Sequence, residues 1–196
     1  MGGGQALRLS PLVLARRLTG KCLSVVAAAV VAVGSLYMAS AANAATGDQP
    51  GFEAVPWSAA MPAPRWQGTD LEGRVWQLSK LSGRAVLINF WASWCEPCRA
   101  EMPSLQQIAV EAPDKLIVLA VNLKESEDTV RRFAQRTDLQ LPLILDADGG
   151  MARAWGVTVY PSTVLIDTQG RVHSVVRGEV DWQSAAAHRL IAPLLK

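Results

Sequence analysis

The apolar and polar positions divide the chain into one long apolar leader and a series of short alternating blocks. Cys22 to Ala42 is apolar or small throughout and carries no charge. Further on, Ala85 to Trp91 is a nearly continuous apolar run, which suits a strand buried on both faces of a sheet. Leu116 to Val121 repeats the pattern with β-branched residues and predicts a second buried strand, and Leu143 to Leu145 a short third. Between these runs the pattern turns helical. Cys95 to about Val110 is predicted to be a helix, with Pro103 expected to kink it. Ser126 to Arg136 is predicted helical because Ser126 can cap it, acidic residues fill its first turn and arginines its last. Met151 to Trp155 predicts a short helix after the turn Asp146 to Gly150.

Two hairpins frame these elements. Arg65–Thr69 and Arg74–Leu78 flank the turn Asp70–Gly73, and Thr163–Asp167 and Val172–Arg177 flank the turn Thr168–Gly170. Asp181 is placed to cap a last helix reaching Leu195. The order is hairpin, β-α-β-α-β-α, hairpin, helix. Crossovers through helices require parallel pairing, whereas hairpins add antiparallel strands. The expected fold class is α/β: a central mixed β-sheet flanked by helices, with an N-terminal β-hairpin and a helix–strand insert.

The leader changes where this domain is expected to work. Met1 to Lys21 is basic, Cys22 to Ala42 is apolar, and Ala42-Asn43-Ala44 fits the small-x-small pattern of a signal-peptidase site. Residues 1–44 are therefore a signal peptide cleaved before Ala45, or an N-terminal membrane anchor, since about 20 apolar residues span a bilayer. Both predict a periplasmic domain, because the basic end stays inside. Arg16-Arg17 is followed by Leu-Thr-Gly rather than the apolar pair of a twin-arginine signal, and Cys22 precedes the apolar run instead of ending it, unlike a lipid-attachment cysteine. Residues 45–61, rich in Gly, Pro and small side chains, are expected to be a linker, leaving 62–196 as the folded domain.

Charge alters the picture only by subtraction. The 196-residue chain has 19 basic and 17 acidic side chains, and four of the basic ones lie in the leader, which has no acidic residue. The remainder carries 15 against 17 and has no basic cluster with interleaved aromatics, which excludes a nucleic-acid surface.

The candidate chemistry lies at one junction. Cys95 and Cys98 fall where the helix after Ala85–Trp91 begins, and the third cysteine, Cys22, is in the leader. A helix N-terminus offers free N–H groups and the positive end of its dipole, which raise the thiolate fraction of a cysteine there. Two cysteines on one turn close into a small disulfide with little backbone movement. Cys95, at the helix end, would attack a substrate disulfide, and Cys98, tucked beneath it, would resolve the mixed disulfide. A zinc site would need four ligands, and His173 and His188 lie at no zinc-motif spacing. Covalent haem attachment would need His where Arg99 stands. No cofactor is expected. A copper chaperone using Cys95, Cys98 and Met102 is an alternative, as is a thiol peroxidase, although the residues before Cys95 lack the proline of the peroxiredoxin pattern.

Asn89-Phe-Trp-Ala-Ser-Trp-Cys-Glu-Pro-Cys-Arg-Ala-Glu-Met-Pro103, with Leu78–Gly83, Leu145–Gly149 and Gly156–Asp167, resembles the TlpA/ResA/CcmG branch of the thioredoxin superfamily over roughly residues 62–196. The resemblance implies a thioredoxin-like fold, an extracytoplasmic location and thiol–disulfide exchange. It implies that Pro161 is a cis-proline facing the dithiol and exposing the backbone of Tyr160 to an extended substrate. It places Trp94, Glu96 and Pro97 around the site. It assigns Glu101 the proton carrier's role beside Cys98, since this branch often lacks the buried aspartate that thioredoxins place where Asn89 stands. The partners it suggests are protein disulfides, in apocytochrome c during cytochrome c maturation or in a copper-site protein of oxidase assembly, and a membrane thiol donor of the DsbD/CcdA type. Glu96, between the cysteines, opposes the helix dipole and disfavours the thiolate, which points to a reductant.

Overall fold

A computed structural model describes residues 51–58 and 60–196. Its strands are β1 (Phe52–Pro56), β2 (Gln67–Thr69), β3 (Val75–Gln77), β4 (Ala85–Trp91), β5 (Leu116–Leu123), β6 (Leu143–Asp146), β7 (Ser162–Ile166) and β8 (Val172–Gly178). Its helices are α1 (Glu96–Glu111), α2 (Glu127–Thr137), α3 (Gly150–Ala154) and α4 (Ala185–Ile191), with single 3-10 turns at Leu78–Lys80 and Ala192–Leu195. The leader predicted over residues 1–44 lies outside the described residues. Among those described, no helix is long and apolar enough to cross a membrane.

Six strands form one mixed sheet in the order β1-β8-β7-β4-β5-β6, and β2 and β3 pair as a separate hairpin. β4, β5 and β6 run parallel, joined through α1 and α2, while β7, β8 and β1 are antiparallel. Every residue of β4 and β5 is buried. That matches their nearly continuous apolar runs, because helices or loops cover a parallel strand on both faces. Leu87 and Trp91 belong to one apolar layer, and Val86, Ile88 and Phe90 to the layer on the other side. The alternation is the period-two pleat of a strand.

Local signals set the ends of the elements. Ser126 caps α2, its hydroxyl accepting the Thr129 N–H, and Asp138 ends that helix in the left-handed conformation. In α1 the first turn holds Glu96 and Pro97, where a missing N–H costs nothing, and the helix continues through Pro103 to Glu111.

The structure corrects two expectations. The stretch assigned to the 45–61 linker contains β1, paired with β8 from Phe52↔Gly178 to Pro56↔Ser174. The folded unit thus extends on the N-terminal side of residue 62 to include β1. An edge strand is held by its backbone ladder and requires little of its side chains, so Gly51 before it and Pro56 at its end hid it. The last helix is capped by Ser184, whose hydroxyl accepts the Ala187 N–H, not by Asp181. Asp181 instead makes a turn, accepting the N–H of Gln183.

Candidate active site

The dithiol sits where the buried strand β4 gives way to α1. Cys95 is the N-cap residue of α1, in extended conformation, and its Sγ accepts the Cys98 N–H at 3.3 Å. A short N-terminal side-chain acceptor is what the orphan N–H groups of a first turn require, and here sulfur supplies it. The two cysteines are joined as a disulfide with Cα atoms 5.3 Å apart. Cys98 is fully buried, and Cys95 is only 6% exposed because both pack into one apolar layer with Met102 and Leu105. The sulfur expected at the surface is therefore largely shielded when oxidised. Glu96 and Pro97 are exposed beside it. The charge of Glu96 reaches the sulfurs against solvent screening.

Glu101 lies three residues beyond Cys98, on the same face of α1. It is 2% exposed. Its Oε1 accepts the Asn89 Nδ2–H at 2.7 Å, and its Oε2 accepts the Val180 N–H at 3.1 Å. Burial raises its pKa from 4.5 to about 7, against the opposing pull of the Val180 and Asn89 donors. Asn89 also donates to Thr163 Oγ1 at 3.0 Å, so three elements converge on this carboxyl. Ser104, whose hydroxyl donates to the Glu101 carbonyl and accepts the Trp182 N–H, ties α1 to the same C-terminal loop. Asn89 was legible as a substitute for an acidic residue. Val180 was not, because it joins the site from 79 residues away.

The Tyr160–Pro161 peptide bond is cis. Phe90 pairs with Ser162 in the β4–β7 ladder, so Pro161 stands at the end of β4 that leads into the dithiol. The ladder stops at Ser162, leaving the Tyr160 backbone beyond it. Ser162 Oγ donates to the Val159 carbonyl and the Gly178 N–H donates to that of Pro161, holding the turn. Tyr160 is half-buried against both apolar layers, and burial raises its pKa. Trp94, 65% exposed, and Val159, 47% exposed, leave apolar surface around this turn and the loop before Cys95.

One contributor had no sequence signal. Glu125, after β5, accepts from Ser93 through both its N–H and its hydroxyl and from the Asn122 amide, pinning the loop that leads to Cys95. It meets Ser93 from 32 residues away, beyond any local pattern. Among the described residues, no three His, Cys, Asp or Glu side chains are grouped to hold a metal ion.

Residues 59–175 match the AhpC/TSA family. The chain is 35% identical over 127 residues to the thiol-disulfide oxidoreductase ResA of Geobacillus thermodenitrificans, covering 64% of this chain and 73% of that one. Its fold is similar to a thiol:disulfide interchange protein DsbE from Chlorobium tepidum, with TM-score 0.63 and 30% identity over 68% of this chain and 95% of the other. It is also similar to the exposed lipoprotein thioredoxin of Streptococcus pneumoniae, with TM-score 0.60 and 28% identity over 67% of this chain and all of the other.

Proposed function

Since the chain belongs to the AhpC/TSA family and is a thiol–disulfide oxidoreductase of thioredoxin-like fold, we propose that it reduces protein disulfides on the periplasmic side of the membrane. One observation carries this reading: the Cys95–Cys98 pair at the start of α1, with the buried Glu101 carboxyl one turn below.

The reduced protein starts from two thiols. The Cys95 thiolate, favoured by the α1 N-terminus and the Cys98 N–H, attacks one sulfur of the substrate disulfide. That S–S bond breaks, one substrate sulfur leaves as a thiol, and a mixed disulfide forms. Glu101 then takes the proton of Cys98. A carboxyl with a pKa of about 7 exchanges protons readily near neutral pH. The Cys98 thiolate attacks Cys95 Sγ and the second substrate thiol departs. The substrate has gained two electrons and two protons, and the protein is left with its Cys95–Cys98 disulfide. A membrane thiol donor of the DsbD/CcdA type would return the electrons.

Tyr160 and Pro161 serve as the edge on which an extended substrate segment pairs its backbone, the mode by which an added strand is recognised. Trp94, Glu96 and Pro97 border that contact. The leader at residues 1–44 and the similarity to an exposed lipoprotein support the location. Apocytochrome c and a copper-site protein are the proposed substrates.

The test is a trap. Cys98→Ala cannot resolve the mixed disulfide, so the variant expressed in the native host should hold its substrates covalently on Cys95. Capture of apocytochrome c assigns the protein to haem attachment, and capture of a copper-site protein to oxidase assembly. An empty trap, together with tight Cu(I) binding by the wild type, would replace the reductase with the chaperone that uses Cys95, Cys98 and Met102.

A further inference from the structure

A groove of about 410 Å³ runs between α1 and α2, away from the dithiol. It starts at Ser93 and Arg99, which flank the two cysteines in the chain. Its apolar lining is Met102, Phe133 and Leu139, all buried, with Val110 exposed at 68% on its rim. Arg136 stands on the α2 side. No carboxylate lines it, and neither Arg99 nor Arg136 has a salt-bridge partner among the described residues. The remaining arginines that pair do so elsewhere, Arg131 with Glu127, Arg153 with Asp148 and Arg171 with Asp167.

We propose that this groove docks an acidic, partly apolar segment of the disulfide-bearing substrate, next to the cysteines under attack. The proposal rests on the reductase reading and adds the class of substrate. Two unpaired guanidiniums above an apolar lining select carboxylates flanking an aliphatic or aromatic side chain, because arginine pairs a carboxylate through two N–H groups at once. The groove is already built. Gln106 bridges its walls, donating to the Asp138 carbonyl at 3.1 Å and accepting the Gln140 N–H at 2.6 Å. The Phe133 ring packs on Trp91 at the end of β4, 5.0 Å between centroids. A preformed groove spends little of its contact energy on ordering. From Arg99 to Val110 the helix rises roughly 16 Å, a length that about five extended residues cover. The docking segment would therefore lie within a few residues of the substrate cysteine.

The experiment uses the pre-reduced full-length protein in single turnover. Three probes are compared: a disulfide-linked peptide with two aspartates and a leucine beside one cysteine, its counterpart with lysines for aspartates, and neutral bis(2-hydroxyethyl) disulfide. The acidic peptide should react at least about fivefold faster than the lysine peptide at low salt, the scale of two exposed ion pairs. The gap should close at 1 M salt, where the screening length is about 3 Å. Arg136→Glu should invert the order of the two peptides. Equal rates for both peptides in the wild type overturn the docking assignment and leave the reductase intact. Failure to reduce any of the three probes overturns the reductase reading itself. Self-association of the wild type in sedimentation, abolished by Arg136→Glu, would give the groove to a second copy of the chain and overturn the substrate assignment.

Discussion

Glu101 is the residue whose protonation the fold controls most directly. Burial holds its pKa at about 7, against 4.5 in an open chain. The folded protein therefore keeps a proton that the unfolded chain gives up. The resulting stabilisation is full below pH 4.5 and is lost as the pH rises through 7. The difference between these limits is about 3 kcal/mol. Glu101→Gln should erase that slope, so that urea unfolding at pH 4 and pH 8 differs by about 3 kcal/mol less in the variant than in the wild type. In rapid-mixing kinetics the same variant should lose the step near pH 7 in the rate of mixed-disulfide resolution. An unchanged pH–rate profile would remove Glu101 from the proton path. Its neighbour Asn89 binds the carboxyl from β4, and Asn89→Ala, which removes that donor, should raise the pKa further.

At the scale of elements, the junction between β1 and β8 is the most constrained. Gly178 has a φ of 98°, and a Cβ there would lie 2.5 Å from the Gly51 carbonyl oxygen and 3.1 Å from Phe52 Cα. Gly178→Ala meets both an unfavourable backbone conformation and a contact with main chain that cannot swing aside. We expect it to cost about 1–3 kcal/mol and to release β1 first. Amide hydrogen exchange should then lose protection at Phe52–Pro56 while β4 and β5 keep theirs. Uniform loss of protection would mean that β1 is part of the global unfolding unit. The N-terminus of α2 offers a smaller comparison. Ser126→Ala removes the acceptor of the Thr129 N–H and should lower the stability by about 1 kcal/mol in thermal unfolding.

At the scale of the molecule, the two oxidation states differ in how the site meets water. With the disulfide closed, Cys95 is 6% exposed and Cys98 wholly buried. Opening it places a thiolate in a site bordered by the exposed Glu96 carboxylate, whose charge favours the disulfide over the thiolate. The reduction potential should accordingly lie nearer thioredoxin's value of about −270 mV than DsbA's value of about −120 mV. Equilibration with glutathione buffers, followed by counting free thiols, measures it. A value near the oxidant's would reverse the proposed direction of electron flow.

The buried strands are legible in the order of residues alone. The apolar runs mark β4 and β5 because a strand covered on both faces is apolar at nearly every position. The dithiol, the Ser126 cap and both hairpins are legible because each is encoded within a few neighbouring residues. β1 is hidden because an edge strand is defined by its partner's backbone, and its own side chains alternate only weakly. The Ser184 cap is hidden for a related reason, as two polar residues within one turn compete for the role and packing decides between them. The assembly of the site is decided by tertiary structure alone. Glu101 acquires its raised pKa only when the packed fold buries it, and the Asn89 and Val180 donors that oppose the rise reach it only in the folded chain. Glu125 reaches Ser93 only when β5 lies beside β4. The chain by itself determined which groups exist and which lie on one turn. Burial and long-range approach, which depend on every element packing at once, decided which of them share a proton, a loop or a groove.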